Sequence, residues 1–446
     1  MRTDKCWEVI TAMTSRERVS LALAHEEADR VPLDLGGSAL TGMHVDEVYL
    51  LRQLLGLDPA GTPVKVIEPF QMLGEIKADL VHALGADVVA LEGLGTAFGF
   101  KKEGWKRWTT FAGTPVLVPA GFNTEPASNG DILLYPQGDL SASPSGRMPK
   151  GGFFFDLISR QPPINDDDLN IDDNLEEFTP ITDSELAYFQ KEVDRLYSET
   201  DKAILASFGG TDIGEAVPIS SLLLKHPKGI RTLEGWLESL VTRPNYLREI
   251  CEGQCAIALA NLEKLHAVVQ EKISAVVVVA MDFGMQTGPI ISPKVFRDLY
   301  KPFYRRINDW IHQHTTWKTF IHSCGSVRLF LEDFIDSGFD ILNQVLCSAA
   351  NMDPRQLKKQ FGDRLVFWGG GVDTQHTLPF GTADEVRREV RERLEIFGQG
   401  GGFVFSTVHN VQTSVPVENV MAIYETVREH GAYPIRRHAE TFRQMP

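Results

Sequence analysis

Eight short apolar runs, separated by longer amphipathic stretches, constrain this 446-residue chain more than any other feature. They are VPLDLG (31–36), ADVVALEG (86–93), AILASFGG (203–210), AVVVVAMDFG (275–284), TFIHSCG (319–325), FDILNQVL (339–346), LVFWGGGVD (365–373) and GFVFSTVH (402–409). Near-continuous apolar runs of this length suit strands buried on both faces, as parallel strands are. Parallel strands need long crossovers, and the segments between the later runs have the pattern of helices. Ser292-Pro293 is a helix-start pair, after which Phe296, Leu299, Tyr300, Phe303, Ile307, Trp310 and Ile311 keep the period of one buried helical face. Thr382-Ala383-Asp384-Glu385 is a capping box whose helix stops near Gly398. Strand–helix alternation carried to eight strands predicts a (β/α)8 TIM barrel, with an open doubly wound sheet as the alternative.

Length alone suggests about three domains at ~150 residues each. The strand count instead predicts one barrel domain over residues 1–446, with an N-terminal helical segment at 1–30. Residues 94–200 break the alternation. There, ILLYPQGD and KGGFFFDL are separated by Gly, Pro and Ser, which predicts an inserted β-hairpin region in a barrel loop. An insertion of that length shapes or covers a site.

Charge narrows the partners. Lys and Arg number 44 against 60 Asp and Glu, a formal charge of -16. That balance argues against nucleic acid or anionic membrane as the main partner. The five cysteines (Cys6, Cys251, Cys255, Cys324 and Cys347) are too sparse for a disulfide framework. The first residues lack an apolar core followed by a small-residue cleavage site. The longest apolar run, 275–281, is far below the ~20 residues of a spanning helix. The expected compartment is a reducing cytoplasm.

In a barrel the chemistry lies where strands end at the C-terminal face. The predicted ends carry Ser207, Thr211 and Asp212; Asp282 and Gln286; His322-Ser323-Cys324-Gly325; Asn343, Gln344 and Cys347; Gly369-Gly370-Gly371 and Asp373; and His409, Asn410 and Gln412. Polar groups converging from six strands are costly to hold there without a function.

His322-x-Cys324 is the sharpest of these. Residues i and i+2 of a strand share a face, so imidazole and thiol can address one point. Nitrogen plus sulfur suits Zn²⁺. The plainer alternative is a packed Cys beside a hydrogen-bonded His. A zinc ion needs more than two ligands, and Cys347, His409 and Asp282 are the candidates for a third. Cys347 lies one strand over, in phase with Asn343, although it also reads as a small buried hydrophobe.

Other motifs carry less. Cys251 and Cys255, at i and i+4 on a helix, read as packing. The tract Asp166, Asp168, Asn170, Asp172, Asn174 and Glu177 imitates a calcium loop, but Ile171 stands where such a loop needs Gly. Gly398-Gln399-Gly400-Gly401-Gly402 follows a helix and precedes a strand, the reverse of a dinucleotide fingerprint. Walker A and G-x-S-x-G sequences are absent.

The blocks MTSRERVSLALAHEEADRVPLDLGG, MDFGMQTGPIISPKVFRDLYKP, FIHSCGSVRLFLEDFIDSGFDILNQV, DRLVFWGGGVDTQHTLPFGTADEVRREV and GGGFVFSTVHNVQTSVPVENV together resemble the uroporphyrinogen decarboxylase-like superfamily. They span residues 13 to about 430, and the resemblance implies a (β/α)8 barrel. True decarboxylases of that superfamily carry an Arg-Gln-Ala-Gly-Arg type motif after the first strand. Here the region reads DLGGSALTGMHVDEV, without the arginine pair. The other branch comprises zinc-dependent methyltransferases that exchange methyl groups with a corrinoid (cobalamin) protein. Its H-x-C pair matches His322 and Cys324. That branch has a further Cys at the end of the last strand, where Val408 stands here, with His409 next to it.

The resemblance therefore implies a zinc-dependent methyltransferase acting between a small methyl donor or acceptor (thiol, methyl ether or methylamine) and a separate corrinoid-binding protein that carries methylcobalamin. His322, Cys324 and Cys347 are assigned to the metal. Asp282, Gln286 and His409 are assigned to catalysis, and Asp212, Asn343, Asp373 and Asn410 to substrate. A homodimer is an open assembly state. The alternatives are a metal-free decarboxylase or lyase using Asp282, His322 and His409, and a non-catalytic ligand-binding barrel.

Overall fold

The computed structural model describes residues 13–214 and 219–436. Its centre is a seven-stranded sheet in which every neighbour is parallel. In spatial order the strands are Phe403–Val404, Val366–Trp368, Ile341–Asn343, Lys318–His322, Ala275–Val279, Ala203–Ser207 and Val88–Glu92. The predicted first strand, 31–36, lies between the two edges of this sheet. Phe405 N donates to Pro32 O and Asp34 N to Phe405 O, both at 2.8 Å, while Asp87 N donates to Leu33 O at 2.7 Å. Seven of the eight predicted runs are thus strands of one parallel sheet, and 31–36 joins its two edges through a parallel bridge from Leu33 to Phe405 and the Asp87 hydrogen bond, giving a TIM-barrel-like ring.

The two-faced burial of these strands explains their composition. In Ala275–Val279 every residue is buried, and from Ala275 to Val278 alternate side chains belong to different cores. Ala275 and Val277 point inward with Val88, Leu205, Phe320, Ile341, Val366, Trp368 and Val404. Val276 and Val278 point outward among the side chains of the covering helices. A helix, Ser15–Leu23, packs Val19, Ala22 and Leu23 into the inner cluster beside the strand starts, plugging the end of the barrel opposite the polar strand ends. Each large apolar side chain so buried is worth ~1.5–3 kcal/mol against exposure. This helix is the described part of the predicted segment 1–30; residues 1–12, with Cys6, lie outside the described residues.

The outer helices follow the predicted periodicity. Phe296, Leu299, Tyr300, Phe303, Ile307 and Ile311 are all buried. The helix Lys301–His314 is entered through a wide π-turn at Phe296–Tyr300, next to Pro302, whose missing N–H breaks the regular ladder. Thr382 and Glu385 form the capping box of the helix Ala383–Phe397.

Residues 94–200 divide into two kinds of structure. The predicted hairpins are there: Lys106–Thr109 pairs antiparallel with Pro115–Val118, and Thr124–Pro126, Ile132–Leu134, Gly146–Met148 and Asp156–Leu157 form a four-stranded meander. The last part is instead a 17-residue helix, Asp183–Glu199, whose Phe189, Val193 and Leu196 pack on the barrel as an ordinary crossover. The hairpin sheet also recruits Val64–Glu68, which runs parallel to Pro115–Val118 and antiparallel to Leu73–Gly74. Its Val64 and Val66, alternating with partly buried residues, are too short a pattern to stand out in sequence.

Candidate metal centre at the barrel mouth

His322 ends the strand Lys318–His322, two residues beyond the inward-facing Phe320, and therefore enters the mouth of the barrel. Its register partner on the neighbouring strand is Asn343. The two side chains share the inner face, and Nδ1 of His322 meets Oδ1 of Asn343. Asn343 Nδ2 donates in turn to Trp368 O at 2.6 Å. Cys324 returns to the same point after one residue, its Sγ 3.5 Å from His322 Nε2. The sharp turn behind it depends on Gly325, at φ +79°, where a Cβ would lie 2.4 Å from the Gly284 carbonyl carbon.

The third member is His409. Its ring centroid is 5.6 Å from that of His322, at an interplanar angle of 72°. Among the described residues, His322, Cys324 and His409 offer ligand atoms that all lie within 4.8 Å of one another. Nδ1 of His409 meets Asn410 Oδ1, so each imidazole is held by an asparagine at Nδ1, which leaves Nε2 as the nitrogen available to a ligand. This donor set fits zinc. Bond lengths of ~2.0–2.3 Å to nitrogen and sulfur call for ligand atoms under ~4 Å apart, a small rotation from the separations here. Anchoring the far imidazole nitrogen is what ligating histidines require.

Burial sets the protonation of the cluster. It pushes the His322 imidazole below its usual value, against the pull of nearby Asp282. The same cause takes His409 down to about 4, with His322 adding to the fall. Both rings are therefore neutral, the form that ligates metal. The Cys324 thiol is pushed up by burial and then by Asp282, so without a cation it keeps its proton.

The remaining expected residues divide. Asp282 sits at the rim, its side chain half exposed, Oδ1 accepting from Cys324 N at 2.8 Å and lying 4.0 Å from His322 Nε2. Gln286 is not drawn into the cluster: it braces two loops, donating from Nε2 to Ser348 O at 2.8 Å and accepting from Ala350 N through its backbone. Cys347 is outside it too, with Sγ against Val345 O at 3.4 Å and its thiol pushed by burial up to about 12. The in-phase extrapolation from Asn343 fails because the strand stops there and Val345 turns at φ +61°. Asp212 accepts from Ala280 N at 2.7 Å, and burial raises its carboxyl to about 7. Asp373 accepts from Gln375 N and His376 N at 2.6 and 2.9 Å; burial works upward on it, but these amides hold its carboxyl below the ordinary range.

Ser323, expected at this strand end without a stated role, gains one here, and Gln71 escapes sequence reasoning. Ser323 Oγ accepts from Phe283 N at 2.9 Å, locking the 282–284 loop against the His322 turn. Gln71, from the turn between Val64–Glu68 and Leu73–Gly74, reaches Asn410 Nδ2 through Oε1. Nothing in the local sequence around Gln71 signals that contact.

A TIM-barrel-like ring with a thiol and two imidazoles gathered at its mouth defines a class of barrels with a metal-competent mouth. Within it the chain belongs to the uroporphyrinogen decarboxylase (URO-D) family, whose sequence model matches residues 159–430. A uroporphyrinogen decarboxylase of Psychromonas ingrahamii is 26% identical over 147 residues, 32% of this chain and 39% of that protein. The methylcobamide:CoM methyltransferase MtaA of Methanosarcina barkeri is 26% identical over 155 residues, 35% of this chain and 42% of that protein. The chain thus spans about two fifths of the length of these curated relatives. A solved methyltransferase from Methanosarcina mazei shares the fold across 94% of this chain and 99% of its own, with a TM-score of 0.54 at 16% identity.

Proposed function

We propose that the chain is a methyltransferase that moves a methyl group between a small thiol, methyl ether or methylamine and a separate corrinoid protein, with zinc held by His322, Cys324 and His409. The observation that carries this reading is the convergence of those three ligand atoms at the barrel mouth. The similarity to a methylcobamide:CoM methyltransferase supports it. So does the chain after the first strand, residues 34–48, which holds no arginine with which to bind a porphyrin's carboxylates.

Zinc in such a site supplies Lewis-acid charge stabilisation and holds a thiolate at neutral pH. The chain's own groups do the rest. The neutral imidazoles of His322 and His409 would hold the metal through Nε2, and Cys324 would hold it as the thiolate. Asp282, half exposed at the rim with Oδ1 on Cys324 N, is the carboxylate placed to take the proton of an incoming thiol. The methylcobalamin belongs to the partner, which docks over the mouth. The proposed compartment is the cytoplasm; no helix among the described residues is long and apolar enough to cross a membrane.

Metal analysis of protein purified without added zinc tests the reading. About one zinc per chain is expected, lost in His322→Ala and Cys324→Ala, together with methylcobalamin demethylation in the presence of a suitable acceptor. A folded, metal-free protein that binds no added zinc would overturn it and leave the metal-free lyase or the ligand-binding barrel.

A further inference from the structure

Asn343 and Asn410 occupy positions from which an amide could meet a substrate, yet their hydrogen bonds are directed elsewhere. Amide orientation and imidazole tautomer are ordinarily ambiguous, because nitrogen and oxygen exchange places without changing shape. Here two backbone carbonyls remove the ambiguity, since a carbonyl oxygen can only accept. Trp368 O lies 2.6 Å from the Asn343 side chain, so the facing atom is Nδ2 and the other is Oδ1. Ala39 O lies 3.2 Å from the Asn410 side chain and fixes it in the same way. In each case the remaining oxygen faces Nδ1 of a histidine, which must then carry the proton.

The geometry points to Asn343 and Asn410 as positioning residues that lock His322 and His409 in the Nδ1–H tautomer, with Gln71 as the clamp that holds Asn410. The donor and acceptor roles fixed by these carbonyls extend outward. If Asn410 Nδ2 donates, the Gln71 atom facing it is Oε1, and Gln412 Nε2 is the group donating to Asn410 Oδ1 at 2.9 Å. Gln71 is in turn delivered by a tight turn. The Glu68 carboxylate accepts from Phe70 N at 2.9 Å and from Gln71 N at 2.7 Å, and Met72 follows at φ +56°. A strand pair outside the barrel ring thereby fixes which nitrogen His409 presents to Cys324 and His322. The inference rests on the proposed metal reading only for what the bare Nε2 atoms then do. The tautomer itself is a property of the protein without metal.

The test is the nitrogen spectrum of the metal-free protein labelled with ¹⁵N-histidine, His409 being assigned by the signal that His409→Gln removes. The native protein should show His409 with a protonated Nδ1 and a bare Nε2. Gln71→Ala and Asn410→Ala should shift both nitrogens toward the averaged values of mixed tautomers, and Asn410→Asp, which still accepts from Nδ1, should restore Nδ1–H. An Nε2–H signal in the native protein, or nitrogen shifts unmoved by both alanine variants, overturns the inference. Gln71→Ala lies in a partly exposed turn, so it remains informative should Asn410→Ala fail to fold. Competition with a zinc chelator gives the second readout, with a ~10–100-fold loss of affinity expected for Asn410→Ala. Altered tautomers with no zinc binding in any variant would sink the metal reading and leave the positioning role standing.

Discussion

The two imidazoles of the cluster reach one point from different kinds of structure. His322 is the last residue of a five-residue strand in the middle of the sheet, and its supporting Asn343 is its register partner in the ladder. His409 lies five residues past the two-residue strand Phe403–Val404, in a segment threaded between 371–372 and 32–44. Its supports are a neighbour in sequence and a glutamine 338 residues away. One half of the site is set by strand period and ladder register, the other by loop contacts that converge only in the folded chain. The ladder half should be rigid and the loop half adjustable, since backbone pairing fixes the first and side-chain hydrogen bonds the second.

Removing ligands gives the largest expected effect and tests whether the halves are equal partners. His322→Ala and Cys324→Ala should abolish zinc binding, whereas His409→Ala should retain a weak site, because the ladder half still offers an imidazole and a thiol 3.5 Å apart. A loss well beyond ~100-fold is expected for the first pair, more than a supporting residue produces. Chelator competition measures all three. If His409→Ala binds zinc as tightly as the native protein, the loop half is not a ligand.

The supports should separate the halves by stability as well. Asn343 is fully buried, and replacing it with Ala leaves the Trp368 carbonyl without its donor, which should cost ~1–3 kcal/mol in denaturant unfolding. Gln71→Ala, in a partly exposed turn, should cost under ~1 kcal/mol while still disturbing His409. Equal losses would mean that the loop half is as integral to the fold as the ladder.

pH acts on the loop half. Glu47, on the helix Val45–Leu54, is buried beside the backbone of Ser414 and Val415, just past His409. Burial pushes its carboxyl from 4.5 up to about 7, the Ser414 amide working the other way. Its folded pKa is above its unfolded one, so the native state holds the extra proton between those values. This contribution is complete below pH 4.5 and is lost as pH rises through 7. Native stability should therefore fall between pH 5 and pH 8 by up to ~3 kcal/mol from this group, and Glu47→Gln should flatten that slope. An unchanged slope in the variant would place the titrating group elsewhere.

Legibility followed the same division. Seven of the eight runs are strands, and they were readable because both faces of runs such as AVVVV are buried, leaving no polar face to blur them. His322-x-Cys324 was readable because period 2 operates within a strand and the turn after it is short. Cys347 was misleading for the reverse reason: the period was carried past Asn343, where the strand had ended and the chain turned at Val345. The helix Asp183–Glu199 was hidden by its position at the end of the hairpin region. Gln71 could not have been found, because its contact with Asn410 depends on how the small sheet docks against the barrel.

Val408 gives the smallest expected effect and the sharpest comparison between neighbours. The family resemblance places a ligating Cys at this position, but the side chain of Val408 is 2% exposed and belongs to the outer apolar core. Its backbone N donates to Val372 O at 3.1 Å, which ties the residue to the adjacent barrel segment. Restoring the cysteine with Val408→Cys should therefore leave zinc stoichiometry and affinity unchanged, at a cost below ~1.5 kcal/mol for a near-isosteric buried swap. The new thiol should not react with a thiol reagent until the protein unfolds, as a thiol buried in apolar surroundings is inert. The decisive comparison is the double variant Val408→Cys with His409→Ala. If the thiol cannot reach the mouth, it binds zinc no better than His409→Ala alone. Rescue of affinity would instead mean that this segment can shift by one residue, exchanging which side chain faces the mouth, and that the loop half of the site is adjustable in register as well as in side-chain orientation.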